Sequence, residues 1–195
     1  MVPESYRWEF VEQESDRVKQ LAAETGYAEV FAGLLMARGV HNKEEAQRFL
    51  YPSEKNMYDP FLMKGMEAAV CRISQAMDAR EKITIYGDYD VDGITATSIL
   101  YLYLTKAGAD VNYYLPDRMS EGYGLNEHAV RMLAETGTKL MVTVDTGISA
   151  IVECRLAKSL GMDVVITDHH ECQEELPEAV AVVDAKQPGE TYPFL

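Results

Sequence analysis

Residues 83–100 read ITIYGDYDVDGITATSIL. The opening run ITIYG (83–87) is β-branched and aromatic and closes on a glycine, the signature of a short strand that ends in a turn. Three acids follow, and apolar residues then return at helical spacing over about 94–107. The same rhythm continues downstream. VNYYL (111–115), LMVTV (140–144), DVVIT (163–167) and AVAVV, ending at Val183, are further strand candidates, separated by helical patterns near 126–137 and 149–161. Asn126 is placed to cap the helix over 126–137, with Leu125 and Val130 as a hydrophobic staple. Alternation of strands and helices, with strands that are almost continuously apolar, predicts an α/β fold. Its parallel β-sheet of about five strands carries helices on both faces.

Residues 1 to about 80 read differently, as helices without strands. Gly26, Gly33 and Gly39 punctuate apolar patterns, HNKEEAQRFL starts on a capping Asn42, and YPSEKNMYDPFLM is an irregular connector. GMEAAVCRISQAMDARE then places apolar residues at 66, 69, 70, 73 and 77, an amphipathic helix. The expected organisation is a helical lead-in over 1–80 and an α/β domain over 81–195. The 195 residues carry 18 Lys and Arg against 32 Asp and Glu, a net charge of −14. A protein that coats nucleic acid would be basic. An acidic chain fits an enzyme that gathers cations among carboxylates and meets phosphate locally. It equally fits an acidic surface kept for solubility. No stretch approaches the length of a membrane span, and no signal-peptide pattern opens the chain. Cys71, Cys154 and Cys172 are sparse and far apart, which suits a reducing cytoplasm.

In a parallel α/β sheet the ligand site lies beyond the carboxyl ends of the strands. Asp88, Asp90 and Asp92 follow the first predicted strand, Asp145 the third, Asp168, His169 and His170 the fourth, and Asp184 the fifth. Carboxylates gathered there would repel one another by several kcal/mol unless cations sat between them. Oxygen donors with one or two imidazoles suit Mn2+ or Mg2+, and two such ions about 3.5–4 Å apart serve phosphodiester hydrolysis. Each element has a plainer interpretation alone. DYDVDG begins like a calcium loop, but the twelfth position counted from Asp88 is Ile99 and not a glutamate. Asp145 alone could cap the helix near Ser149, and His169-His170 alone could be solvated.

GDYDVDG, VDTGIS and TDHH, in that order, resemble the DHH phosphoesterase superfamily, and YGDYDVDGITATSILY, DRMSEGYGLN and VVITDHHE resemble its RecJ branch. The resemblance covers roughly residues 55–195. It implies metal ligands at Asp90, Asp92, Asp145 and His169, with Asp88 close by, and a contact from His170 to the substrate phosphate. It implies that Asp168 orients an imidazole and that Arg118, Gly122, Tyr123 and Gly124 hold the nucleic-acid strand. The plainer alternatives are a surface ion pair of Arg118 with Glu121 or Asp117, and an ordinary loop at the glycines. By the same resemblance the activity is 5′-to-3′ degradation of single-stranded DNA in repair and recombination. It would use Mn2+ or Mg2+, two ions in the complete enzyme, with a helicase or single-strand-binding protein as partners. Alternatives are a phosphodiesterase for cyclic dinucleotides or short RNA, and a non-catalytic scaffold of the same fold. Three departures stand out. Tyr86 occupies a position that is His in some members, Asp184-Ala185 stands where RecJ-like chains read Asn-Pro, and the family's fourth acidic motif and C-terminal domain are not found in these residues. The expectation is therefore an incomplete, weakly active part of a longer enzyme.

Overall fold

The structure, a computed structural model, describes residues 14–119 and 121–193. The chain divides into two compact units between Met57 and Tyr58. The first contains α1 (Ser15–Thr25), α2 (Glu29–Met36) and α3 (Lys43–Leu50) around a small core of Leu21, Ala32, Leu35, Met36, Val40 and Ala46. Asn42 caps α3 as its sequence predicts, its side chain accepting from Glu45 N–H at 2.9 Å.

The second unit contains α4 (Met66–Asp78), β1 (Lys82–Gly87), α5 (Val91–Lys106), β2 (Val111–Tyr114), α6 (Glu127–Glu135), β3 (Thr138–Val144), α7 (Ile151–Ser159), β4 (Asp163–Asp168) and β5 (Ala181–Asp184). The five strands form one sheet in the order β2-β1-β3-β4-β5, and every neighbouring pair is parallel. This is the α/β class expected from the sequence. Alternate strand residues feed two separate cores. Tyr86, Met141, Val164 and Ile166 pack with Leu125, Val130, Leu133 and Cys154 beneath α6 and α7. Ile83, Ile85, Leu140, Val142 and Val165 pack with Ala69, Ala76 and Leu104 beneath α4 and α5. Both faces are therefore covered, which is why the strands read as nearly continuous apolar runs.

α4 belongs to the sheet and not to the helices before it. Ala69 and Ala76 are small enough to let it lie close, and a Cβ on Gly65 would stand 2.1 Å from the Val182 carbonyl oxygen. The compact unit accordingly begins near residue 58, upstream of the expected division at 80. Val70, counted on the apolar face of this helix, is 40% exposed. The face that packs is Met66, Ala69, Ile73, Ala76 and Met77. Arg72 staples α4 to the strand entrances through Nε to Asp163 at 2.7 Å and Nη2 to Glu81 at 2.6 Å. Its side chain is 12% exposed, whereas both carboxylates keep contact with water. Arg72→Met, which keeps the aliphatic stem and removes the charge-assisted bonds, should therefore cost about 2 kcal/mol. A urea midpoint unchanged from wild type would contradict this.

The strand order sets the site. The connection from β1 through α5 leads outward to β2, and the next one returns across β1 to β3. This reversal opens a crevice beyond the carboxyl ends of β1 and β3.

Candidate metal centre

Asp90 opens α5. Its Oδ1 accepts from Gly93 N–H at 3.0 Å, so the helix starts at Val91, three residues before its apolar pattern becomes legible. That N–H bond holds the Asp90 carboxyl below the usual carboxylate range. Asp88 precedes it and is buried. Among the described residues its Oδ1 is one of four buried side-chain oxygens without a hydrogen-bond partner. The loop fits together only because residue 93 is glycine, since a Cβ there would stand 2.4 Å from the Asp88 carbonyl oxygen.

Asp145 follows β3 with φ +59°, a left-handed backbone that Asp tolerates better than most residues. Its N–H donates to the Thr167 carbonyl at 3.0 Å. The side chain, 7% exposed, meets His169 Nε2 at 2.9 Å. Burial raises its pKa above the ordinary value. Asp145 does not serve as a helix cap. That loop is held instead by Asp168 Oδ2, which accepts from Ile148 N–H at 2.9 Å. The other oxygen of Asp168 accepts from His169 N–H at 2.7 Å and from His170 Nδ1 at 2.6 Å. The imidazole that Asp168 orients is therefore that of His170. This bond raises the His170 pKa.

The side chains gather into two groups. Donor atoms of Asp88, Asp90 and Asp145 lie within 4.8 Å of one another, and so do those of Asp145, His169 and His170. Asp145 is common to both. Asp92 joins neither group, but it lines the adjoining open cleft of about 520 Å3 together with Asp145, Asp168, His169 and Thr95. The donor set suits a hard divalent cation, because it consists of carboxylates and imidazoles without thiolate. The unpartnered, buried Asp88 Oδ1 points the same way, since a desolvated carboxylate oxygen needs a cationic or donor partner. Asp184 ends β5 beside Asp168. It is fully buried, accepts from Lys186 N–H at 2.7 Å through one oxygen and leaves the other unpartnered. Burial raises its pKa.

The nucleic-acid candidates form a rim. The Arg118 guanidinium carbon lies 5.3 Å from the centre of the Tyr89 ring. Tyr89 packs edge to face on Tyr123 with centroids 6.3 Å apart. Gly122 and Gly124 both have φ +82°, a left-handed backbone that suits glycine, and a Cβ at Gly122 would meet nothing within 4 Å. Glu121, an alternative partner for Arg118, is engaged by Tyr114 Oη, Asp117 N–H and Asn126 Nδ2. Tyr86 stands outside both donor groups. It is buried in the α6–α7 core and donates through its hydroxyl to the Gly124 carbonyl at 3.0 Å. Tyr89 was not legible as a site residue, because no spacing rule marks an aromatic residue between two acids.

Residues 82–191 match the model of the DHH family, N-terminal domain. The chain is 50% identical over 194 residues to the single-stranded-DNA-specific exonuclease RecJ of Bacillus subtilis, an alignment that covers 100% of this chain and 25% of that protein. It resembles the crystal structure of an exonuclease RecJ bound to manganese, with TM-score 0.64 and 33% identity, covering 70% of this chain and 35% of the other. It also resembles RecJ of Thermus thermophilus in complex with Mn2+, with TM-score 0.67 and 26% identity over 92% of this chain and 25% of the other. The chain spans about a quarter of the length of the curated relatives it matches.

Proposed function

The chain belongs to the DHH family, and from that premise we propose that it forms the metal-binding portion of a nuclease that degrades single-stranded DNA from the 5′ end. The observation that carries this reading is the sharing of Asp145 between two adjacent donor groups. Asp88, Asp90 and Asp145 would hold one divalent cation, Mn2+ or Mg2+, and Asp145 with His169 a second, with Asp92 reaching the same cleft. Cations held there supply Lewis-acid chemistry, lowering the pKa of water and offsetting charge on a phosphoryl group.

The protein's own residues do the rest. His170, tethered through Nδ1 to Asp168, faces the scissile phosphate. Arg118, on its Tyr89 platform, offers a planar fork to a flanking phosphate. The acidic residues elsewhere repel a phosphodiester backbone, so a strand approaches productively only along this rim. The setting is DNA repair and recombination in the cytoplasm. A helicase or single-strand-binding protein would present the strand.

The test uses a chimera in which this chain replaces the matching quarter of the Bacillus subtilis relative. Expected is Mn2+-dependent loss of a labelled single strand, with duplex DNA and cyclic dinucleotides left intact. Faster turnover of cyclic dinucleotides would overturn the reading. In the same chimera, Arg118→Ala should weaken single-strand binding for all sequences and reduce the salt slope of log K by about one unit. An unchanged slope would return Arg118 to the surface.

A further inference from the structure

Tyr123 Oη lies 3.1 Å from His170 Nε2, and the two rings meet near-perpendicularly with centroids 6.0 Å apart. At its other nitrogen the same imidazole is bound to Asp168 Oδ1 at 2.6 Å. Asp168 also accepts the backbone N–H groups of Ile148 and His169, so it acts as an acceptor and His170 Nδ1 carries a proton. The ring is thus gripped at both nitrogens, by a carboxylate from its own strand end and by a phenol 47 residues earlier. The phenol is itself held in place. Left-handed glycines flank it, the Gly124 carbonyl is pinned by the buried Tyr86 hydroxyl, and Tyr89 packs against its ring.

We propose that Tyr123 is a positioning residue for His170. Its hydroxyl holds the Nε2 end of the imidazole until a phosphate oxygen takes that place. This inference rests on the reading of His170 as the phosphate contact, and it gives Tyr123 a different task from binding the strand by its ring. A phenol hydroxyl both donates and accepts, so it can hold Nε2 whether or not that nitrogen carries a proton. Without the grip at Nε2 the ring keeps one tether and can rotate about it.

Tyr123→Phe separates the two tasks, because it keeps the ring against Tyr89 and removes only the hydroxyl. The first measurement needs no activity. Nitrogen-15 spectra of the histidine rings, recorded on the metal-free 195-residue chain, should show the His170 Nε2 signal moved and broadened in Tyr123→Phe, with His128 unchanged. An unmoved His170 signal would overturn the proposal whatever the nuclease reading. The second measurement uses the chimera, where kcat should fall about tenfold, the scale seen when an orienting partner is lost, with KM little changed. A raised KM at unchanged kcat, or no change in either, would make Tyr123 a strand-binding or neutral residue and overturn the positioning role. A chimera inactive even with Tyr123 in place would count against the nuclease reading alone, and the histidine spectra would still decide this inference.

Discussion

Asp145→Asn should leave the fold standing and reduce Mn2+-dependent hydrolysis by the chimera by at least about a hundredfold. Asparagine is the substitution to use because the residue sits at φ +59°, where Asn is tolerated and most other side chains are strained. It preserves shape and one acceptor oxygen and removes the charge. Asp145 is the member common to both donor groups, so the change should weaken both proposed cation positions. Loss of an outer partner of a metal ligand already costs roughly 10–100-fold, and a shared carboxylate should cost more. The bond to His169 Nε2 at 2.9 Å is also weakened. The assay is the rate of single-strand loss at saturating Mn2+, with circular dichroism to establish that the fold is kept. A variant within tenfold of wild type would remove Asp145 from the centre of the site.

Gly93→Ala should act through the fold. The added methyl would stand 2.4 Å from the carbonyl oxygen of Asp88 and 2.6 Å from its carbonyl carbon and its nitrogen. None of these is a flexible side-chain end. Either the first turn of α5 moves off β1 or Asp88 is displaced, and in both cases Asp88 and Asp90 lose their common aim. Overpacking of this kind costs about 3 kcal/mol, a large share of the stability of a small domain. Urea unfolding of the chain should show the loss, and Mn2+ binding should fall with it. Wild-type stability with wild-type Mn2+ binding would mean that the close contact between Gly93 and Asp88 is absent.

Much of this was legible in the sequence because buried parallel strands cannot hide. ITIYG, LMVTV and DVVIT are almost continuously apolar, and the residue after each necessarily falls at one edge of the sheet. Legibility ended where a side chain's partner lay far along the chain or where the backbone turned left-handed. VDTGIS looks locally like a capping sequence, and only the tertiary structure assigns the loop to Asp168, whose bond to Ile148 N–H spans 20 residues. Asp90 serves as helix cap and candidate ligand at once, and apolar periodicity therefore started α5 three residues late. Tyr86 read as a departure in a metal shell, whereas its hydroxyl reaches 38 residues ahead to brace the loop that carries Tyr123. α4 read as part of a helical lead-in because periodicity reports which face is apolar and not what that face covers.

Asp145 joins the two donor groups, and the proposed site therefore has two adjacent cation positions. Electron paramagnetic resonance of the 195-residue chain titrated with Mn2+ tests this directly, since ions about 4 Å apart couple magnetically and distant ions do not. The predicted result is the loss of the isolated six-line signal as the second equivalent binds, with the coupling abolished in Asp145→Asn. A spectrum of isolated ions at every stoichiometry up to two would contradict the account.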